Sequence, residues 1–240
     1  MQSGKIFKSL KMNYTIQLFD FFRRLDENNN RPWFHEHKEE YDFLRECWLK
    51  DIDKLLALMT QWEPDLAGQT AKNCVYRIYR DTRFSPDKTP YKRFFSAAFS
   101  PWGRKTNRAC YYLQMGVTDP DRHLNSGLYG GMWCPDSDML RKVRTAIVDN
   151  DEEFSEILEN KEFKSIFPDF DLGDKLKTVP RGFDKNSKFA EILKMKNIGK
   201  YCPAGEEFFT REDWVEETAR RFSLLKPFID FINYSIDEEI

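Results

Sequence analysis

A chain of 240 residues with 40% hydrophobic and 15% aromatic content can bury a sizeable aromatic core, since folding at this length hides roughly 70–75% of the surface the unfolded chain exposes. Charged residues make up 32% and the formal net charge is −2, with a mean hydropathy of −0.69, and no run approaches the roughly 18 apolar residues of a membrane helix. The pI of about 6.0 argues against a general nucleic-acid binder, for which a value above about 9 is usual.

Residues 1–11 carry Lys5, Lys8 and Lys11 but no apolar stretch of the kind a secretory signal needs. They read as a frayed extension, with Met12 as an alternative start, ahead of a single α+β domain over 12–240. Leu18, Phe19, Phe22 and Leu25 fall at helical spacing until Asn28-Asn29-Asn30 breaks the pattern. Pro32 suits the first turn of a new helix. From there Tyr41, Leu44, Trp48, Ile52, Leu55, Leu56 and Met59 form a stripe at steps of three and four, which predicts the longest helix of the chain. Trp33 and Phe34 read as core or staple residues.

The period then changes. Val75–Tyr79 is β-branched and aromatic and reads as a strand, and Phe94–Phe99 as a second. Tyr111, Leu113, Met115 and Val117 alternate with polar or smaller neighbours, predicting a half-buried strand with its core face on the odd numbers. A fourth is expected from His123 to Tyr129, ending at Gly130-Gly131, which would act as a turn or bulge. Strands in succession without helices between them imply antiparallel pairing. Helices return after Pro135, with Met139, Leu140, Val143 and Ile147 on one face, and short ones are expected around Phe154–Leu158 and Phe189–Leu193, with a Pro-Arg-Gly-Phe turn at 180–183 between them. Thr210 and Asp213 give a capping-box signal for a helix carrying Trp214, Thr218, Phe222 and Leu225. Pro227 is expected to interrupt it before Phe228, Phe231 and Ile232. The fold class is α+β, a central antiparallel sheet flanked by N-terminal and C-terminal helices.

The five cysteines, Cys47, Cys74, Cys110, Cys134 and Cys202, form no CxxC pair. They read as reduced, mostly buried thiols of a cytoplasmic protein, Cys74 included, although cations near it could lower its pKa. His35 and His37 stand two apart on a helix, about 200° around it, and cannot share an ion; His123 has no ligand-spaced neighbour. No metal and no cofactor is expected.

The most informative stretch is 77–93. It holds Arg77, Arg80, Arg83, Lys88, Lys92 and Arg93 against Asp81 and Asp87, a formal +4 within a chain of −2. Pro86 and Pro90 fix two φ angles, and a stiff loop binds with less ordering cost. Two like charges about 6 Å apart repel by roughly 3 kcal/mol at an effective dielectric of about 20. The surplus must therefore meet water, acids elsewhere in the fold, or a bound anion. Arg and Lys suit phosphate or carboxylate. Asp81 can orient Arg77 or Arg83, or act as a base; Arg31 and Lys38 can turn toward the loop and extend it.

The pattern Arg77-x-x-Arg80-Asp81-x-Arg83-Phe84-x-x-Asp87-Lys88-x-x-Tyr91 resembles the signature of domain-of-unknown-function family 2461, a bacterial conserved-hypothetical family. Asn28-Asn29-Asn30-Arg31, Trp33, Phe34, Lys38, Tyr41, Gly130-Gly131 and the Pro180, Gly182, Phe183 turn extend the resemblance over most of the chain. It implies no assigned activity. The reading that follows is a cationic cleft for a phosphate- or carboxylate-bearing small molecule, with Arg77, Arg80, Arg83, Lys88 and Lys92 supplying charge and Asp81, Asp87 and Tyr91 orienting ligand and cations. Catalysis there would rest on charge stabilisation. Two alternatives stand beside it: an interaction module for nucleic acid or an acidic partner, and a structural ion-pair loop. The oligomeric state is not encoded in any pattern found.

Overall fold

The computed structural model describes residues 13–118, 126–170 and 173–237; the extension, Met12 and His123 lie outside them. Helices α1 (Tyr14–Glu27), α2 (Arg31–Glu36), α3 (Lys38–Met59) and α4 (Ala71–Cys74) precede β1 (Phe94–Phe99), β2 (Cys110–Gly116) and β3 (Gly127–Met132). Then come α5 (Ser137–Asp149), α6 (Asp151–Glu159), α7 (Lys161–Ile166), β4 (Asp169–Phe170), α8 (Ala190–Leu193), β5 (Ile198–Pro203), α9 (Glu206–Phe209) and α10 (Trp214–Asp237). The sheet order is β1-β2-β3-β5-β4, with antiparallel neighbours throughout. This is the α+β architecture expected, helices from both ends of the chain flanking one antiparallel sheet.

One hydrophobic cluster joins the parts. The inner sheet face carries Phe95, Phe99, Tyr111, Leu113, Met115 and Leu128, all buried. Phe22 of α1 meets Phe95 edge-on, and Phe222 of α10 meets Phe99 and Tyr111. The two long helices also touch each other, Trp48 lying parallel to Trp214 at 6.2 Å. Tyr111 donates to the buried carboxylate of Glu63 at 2.8 Å, which also receives Lys226 from α10 at 3.1 Å, so this buried acid is satisfied from two sides.

Several expectations need correction. Val75–Tyr79 is not a strand but an extended segment making isolated bridges, Val75 with Ala97 and Tyr79 with Tyr91. Four residue steps on one side face six on the other, so a bulge breaks the ladder. β3 starts at Gly127 and runs through Gly130 and Gly131 to Met132, so this pair neither ends the strand nor forms a turn. A Cβ on Gly130 would stand 2.6 Å from a Leu225 methyl, and one on Gly131, at φ +142, would stand 2.3 Å from the Ile198 carbonyl. The glycines let α10 and β5 approach the strand.

The longest helix is α10, with 24 residues against 22 in α3. Pro227 lies inside it. A proline costs the helix one backbone bond, but the apolar face is continuous across it through Leu225, Phe228, Ile229 and Ile232, all buried. Thr210 does not cap α10; its hydroxyl turns back onto the Glu206 carbonyl and closes α9. Of the five thiols only Cys74 and Cys202 are buried, while Cys47 and Cys110 are partly covered and Cys134 is exposed. No helix among the described residues is long and apolar enough to cross a membrane.

Candidate functional site

The cationic stretch folds as a hairpin whose stem is 75–80 against 90–97. Tyr76 donates its amide to Ser96, Lys92 to Ile78 and Arg80 to Pro90. The loop at its tip is built from its own side chains. Arg80 reaches Asp87 at 2.6 Å and the Thr89 carbonyl at 3.0 Å, and also the Thr89 hydroxyl. Arg83 forks onto Asp81 at 2.7 and 3.0 Å. Lys88 donates to the Thr82 carbonyl at 2.9 Å. Asp81 also accepts the Arg83 amide, and these bonds hold its pKa down at about 2. Asp87 is held at about 2 as well, mainly by the Thr89 amide and hydroxyl and then by Arg80. Carboxylates this acidic are weak bases at neutral pH; both act as braces for arginine.

The asparagine triplet positions the stem. Asn28 caps α1 by donating to the Arg24 carbonyl, and Asn30 caps α2 by accepting the Trp33 amide. Between them, Asn29 clamps Tyr91 by both backbone groups, accepting its amide at 3.1 Å and donating to its carbonyl at 3.0 Å. Tyr91 sits opposite Tyr79, and the strand-ladder bonds on either side of that pair come from Arg80 and Lys92. Its own amide and carbonyl therefore point away from the stem, and the asparagine amide supplies what a further strand would.

This clamp sets α2 against the stem and opens a groove of about 830 Å³ lined by Arg31, Phe34, His35, Lys38, Tyr79, Arg80 and Tyr91, among others. Its floor is aromatic: Phe34 stacks on Tyr91 at 4.0 Å, and Tyr79 lies 5.5 Å from Tyr91. Arg31 and Lys38 do turn to this side, with Lys38 paired to Asp42. Trp33 stacks on His37 at 3.9 Å. The two histidines thus part, His35 into the groove and His37 against Trp33, as their spacing requires.

Of the eight residues singled out in the sequence, Arg80 and Tyr91 line the groove; Asp81, Arg83, Asp87 and Lys88 form the loop's internal lattice. Arg77 and Lys92 belong to neither group. Arg77 is exposed and among the described residues is joined to no acid by an ion pair of 4.0 Å or less; Arg93, the sixth cation, is paired with Asp26 at 2.5 Å. The Lys92 ammonium is half-buried, over the rings of Tyr76 at 5.2 Å and Phe94 at 5.6 Å. Burial pushes its pKa down, and the charge of Arg77 pushes it further. Among the described residues the stem therefore carries two cations, Arg77 and Lys92, with no carboxylate in ion-pair contact, whereas the tip arginines are each paired with one and Lys88 is held by a backbone carbonyl.

The other signals are structural. Burial pushes the Cys74 thiol up to about 11 despite the charge of Arg104, so it is a poor nucleophile. Among the described residues no three metal-ligating side chains gather. Sequence reading missed Lys200 on β5, which is buried, donates to the Pro168 carbonyl at 3.0 Å and lies 4.4 Å over the Phe170 ring. A lysine between glycine and tyrosine gives no strand pattern by which it could have been found.

A family model described as "Conserved hypothetical protein (DUF2461)" matches residues 17–231. No curated protein and no solved structure matches the chain.

Proposed function

We propose that this chain, which belongs to the conserved hypothetical family DUF2461, binds a phosphate- or carboxylate-bearing small molecule at the stem of its cationic hairpin. The observation that carries the reading is the Arg77–Lys92 pair. Each tip arginine has an ion-paired acid of its own, whereas among the described residues neither stem cation has one: Arg77 shares only the outer field of Asp81, already forked by Arg83, and the Lys92 ammonium feels only the repulsion of Arg77. A half-buried ammonium without an anionic neighbour is costly unless an anion joins it. The guanidinium offers a fork and the ammonium a point charge, a combination suited to a tetrahedral or planar oxyanion. The loop's internal lattice and its prolines hold the stem in place before a ligand arrives, which lowers the ordering cost.

The test is calorimetric titration and thermal denaturation with phosphate monoesters and small carboxylates. A ligand at a hundred times its Kd adds about 2.7 kcal/mol, a rise in Tm of roughly 5–10 °C for a domain of this size. Arg77→Gln with Lys92→Met should abolish the rise. A full panel that leaves wild-type Tm unmoved rejects the reading.

A second reading places the anion in the groove, because Arg31 and His35 gather there beside Lys38 and Arg80, whose partners Asp42 and Asp87 stand outside the lining. Arg31→Ala then abolishes binding and the Arg77 and Lys92 substitutions leave it intact.

A further inference from the structure

The outer face of the sheet carries a row of tyrosines that the hairpin stem extends. Tyr112 of β2, Tyr129 of β3 and Tyr201 of β5 are in register across three strands. Their rings follow one another at 5.6 Å and 4.6 Å, and Tyr76 of the stem continues the row at 6.2 Å from Tyr112. Tyr76 is also the ring beneath the Lys92 ammonium. The inner-face rings are buried under α1 and α10, whereas these four are half-buried. The row therefore starts at the unpaired stem cations and runs away from them along a partly open surface.

We infer that the ligand of the stem carries a planar ring beside its anionic group, an aryl or heteroaryl phosphate or carboxylate, with the ring seated on Tyr112 next to Tyr76. The inference rests on the anion reading of Arg77 and Lys92. Charge fixes the occupant's polar end, since only an anion complements this edge of the face. Ring geometry fixes the other end. Tyr76 is already engaged by Lys92, so the next ring along the row from the cations is Tyr112, half-buried, whose hydroxyl donates to Gln114 at 3.0 Å and so holds the ring in one orientation. Aromatic rings stack on such a platform in offset or edge-on contact, and the stack tolerates many ring types.

Titration of the intact protein with methyl phosphate and with phenyl phosphate separates this inference from the one beneath it. Phenyl phosphate should bind at least about tenfold more tightly than methyl phosphate. Tyr112→Leu should reduce that ratio to less than about threefold and leave methyl phosphate affinity unchanged. Equal affinities for the two esters overturn the ring inference and leave the anion reading standing; binding of neither overturns both. A Tyr112→Leu protein that keeps the full ratio shows that the row is only cross-strand packing and also overturns it. So does an oligothymidylate that binds far more tightly than either ester with a steep salt dependence, because the occupant is then single-stranded nucleic acid.

Discussion

Asn29→Ala tests how the hairpin stem is held. The substitution removes two hydrogen bonds to the Tyr91 backbone, of 3.1 and 3.0 Å. Tyr91 is 5% exposed, so its amide and carbonyl gain little water in exchange. Two net bonds at about 1 kcal/mol each, plus part of the penalty for leaving buried groups unmet, give a loss of about 3 kcal/mol. At roughly 2–4 °C per kcal/mol, Tm should fall by about 6–12 °C. Asn29→Asp keeps the acceptor and loses the donor, so it should show about half of that. Urea denaturation supplies the free energy, and native-state hydrogen exchange at the Tyr91 amide shows where it acts. An Asn29→Ala protein within about 0.5 kcal/mol of wild type, with the Tyr91 amide still protected, would refute the clamp.

Arg80→Ala should leave the domain folded but loosen the loop at 81–89, at a cost of about 1–3 kcal/mol, because Asp87 and Thr89 lose their shared partner; unchanged protease resistance of the loop would count against its self-bracing. Gly131→Ala should destabilise by about 2–4 kcal/mol, since the position combines φ +142 with a backbone carbonyl where the methyl would go, whereas Gly130→Ala meets only the movable end of Leu225 and should cost less; equal losses in equilibrium unfolding would contradict the packing described. Burial takes the Lys200 ammonium down from an ordinary 10.5 to about 8. The unfolded chain then holds the extra proton between those values, so the fold gains stability as pH rises through that window, by up to about 3 kcal/mol. Lys200→Met should flatten that rise in denaturation curves taken across it, and an identical slope in both proteins would show that the group is not desolvated. Binding at the stem should weaken with alkali below the pH at which an ordinary lysine titrates, because Lys92 is also depressed; an affinity flat to pH 11 would exclude it from the site.

The long amphipathic stripes of α3 and α10 and the alternation in β2 were legible because each writes its burial into nearest neighbours at fixed spacing. The hairpin's charge was equally plain, but its division was not. Arg83 finds Asp81 two residues away, a pairing sequence can suggest, whereas Arg93 finds Asp26 at a separation of 67, which no local pattern records. Asn29 is the clearest case. Its residue type announces a helix break, and that break is real, yet its main partner lies 62 residues on. β5 was invisible for another reason. Gly199, Lys200 and Pro203 have weak strand preference, and only their surroundings, Phe163 and Phe170 under the lysine and β3 alongside, make the segment a strand.

The broken pairing between 75–79 and the sheet has a consequence for crowded solutions. β1 would otherwise end the sheet with a straight row of free amides and carbonyls, an invitation to another molecule's strand. The bent stem occupies that margin with a single bridge to β1, Val75 with Ala97, and at the opposite margin β4 is two residues long. Neither border offers the long flat template on which fibrils grow. The irregular stem that carries Arg77 and Lys92 is thus also an edge cover, which makes strand-to-strand pairing at β1 harder to start.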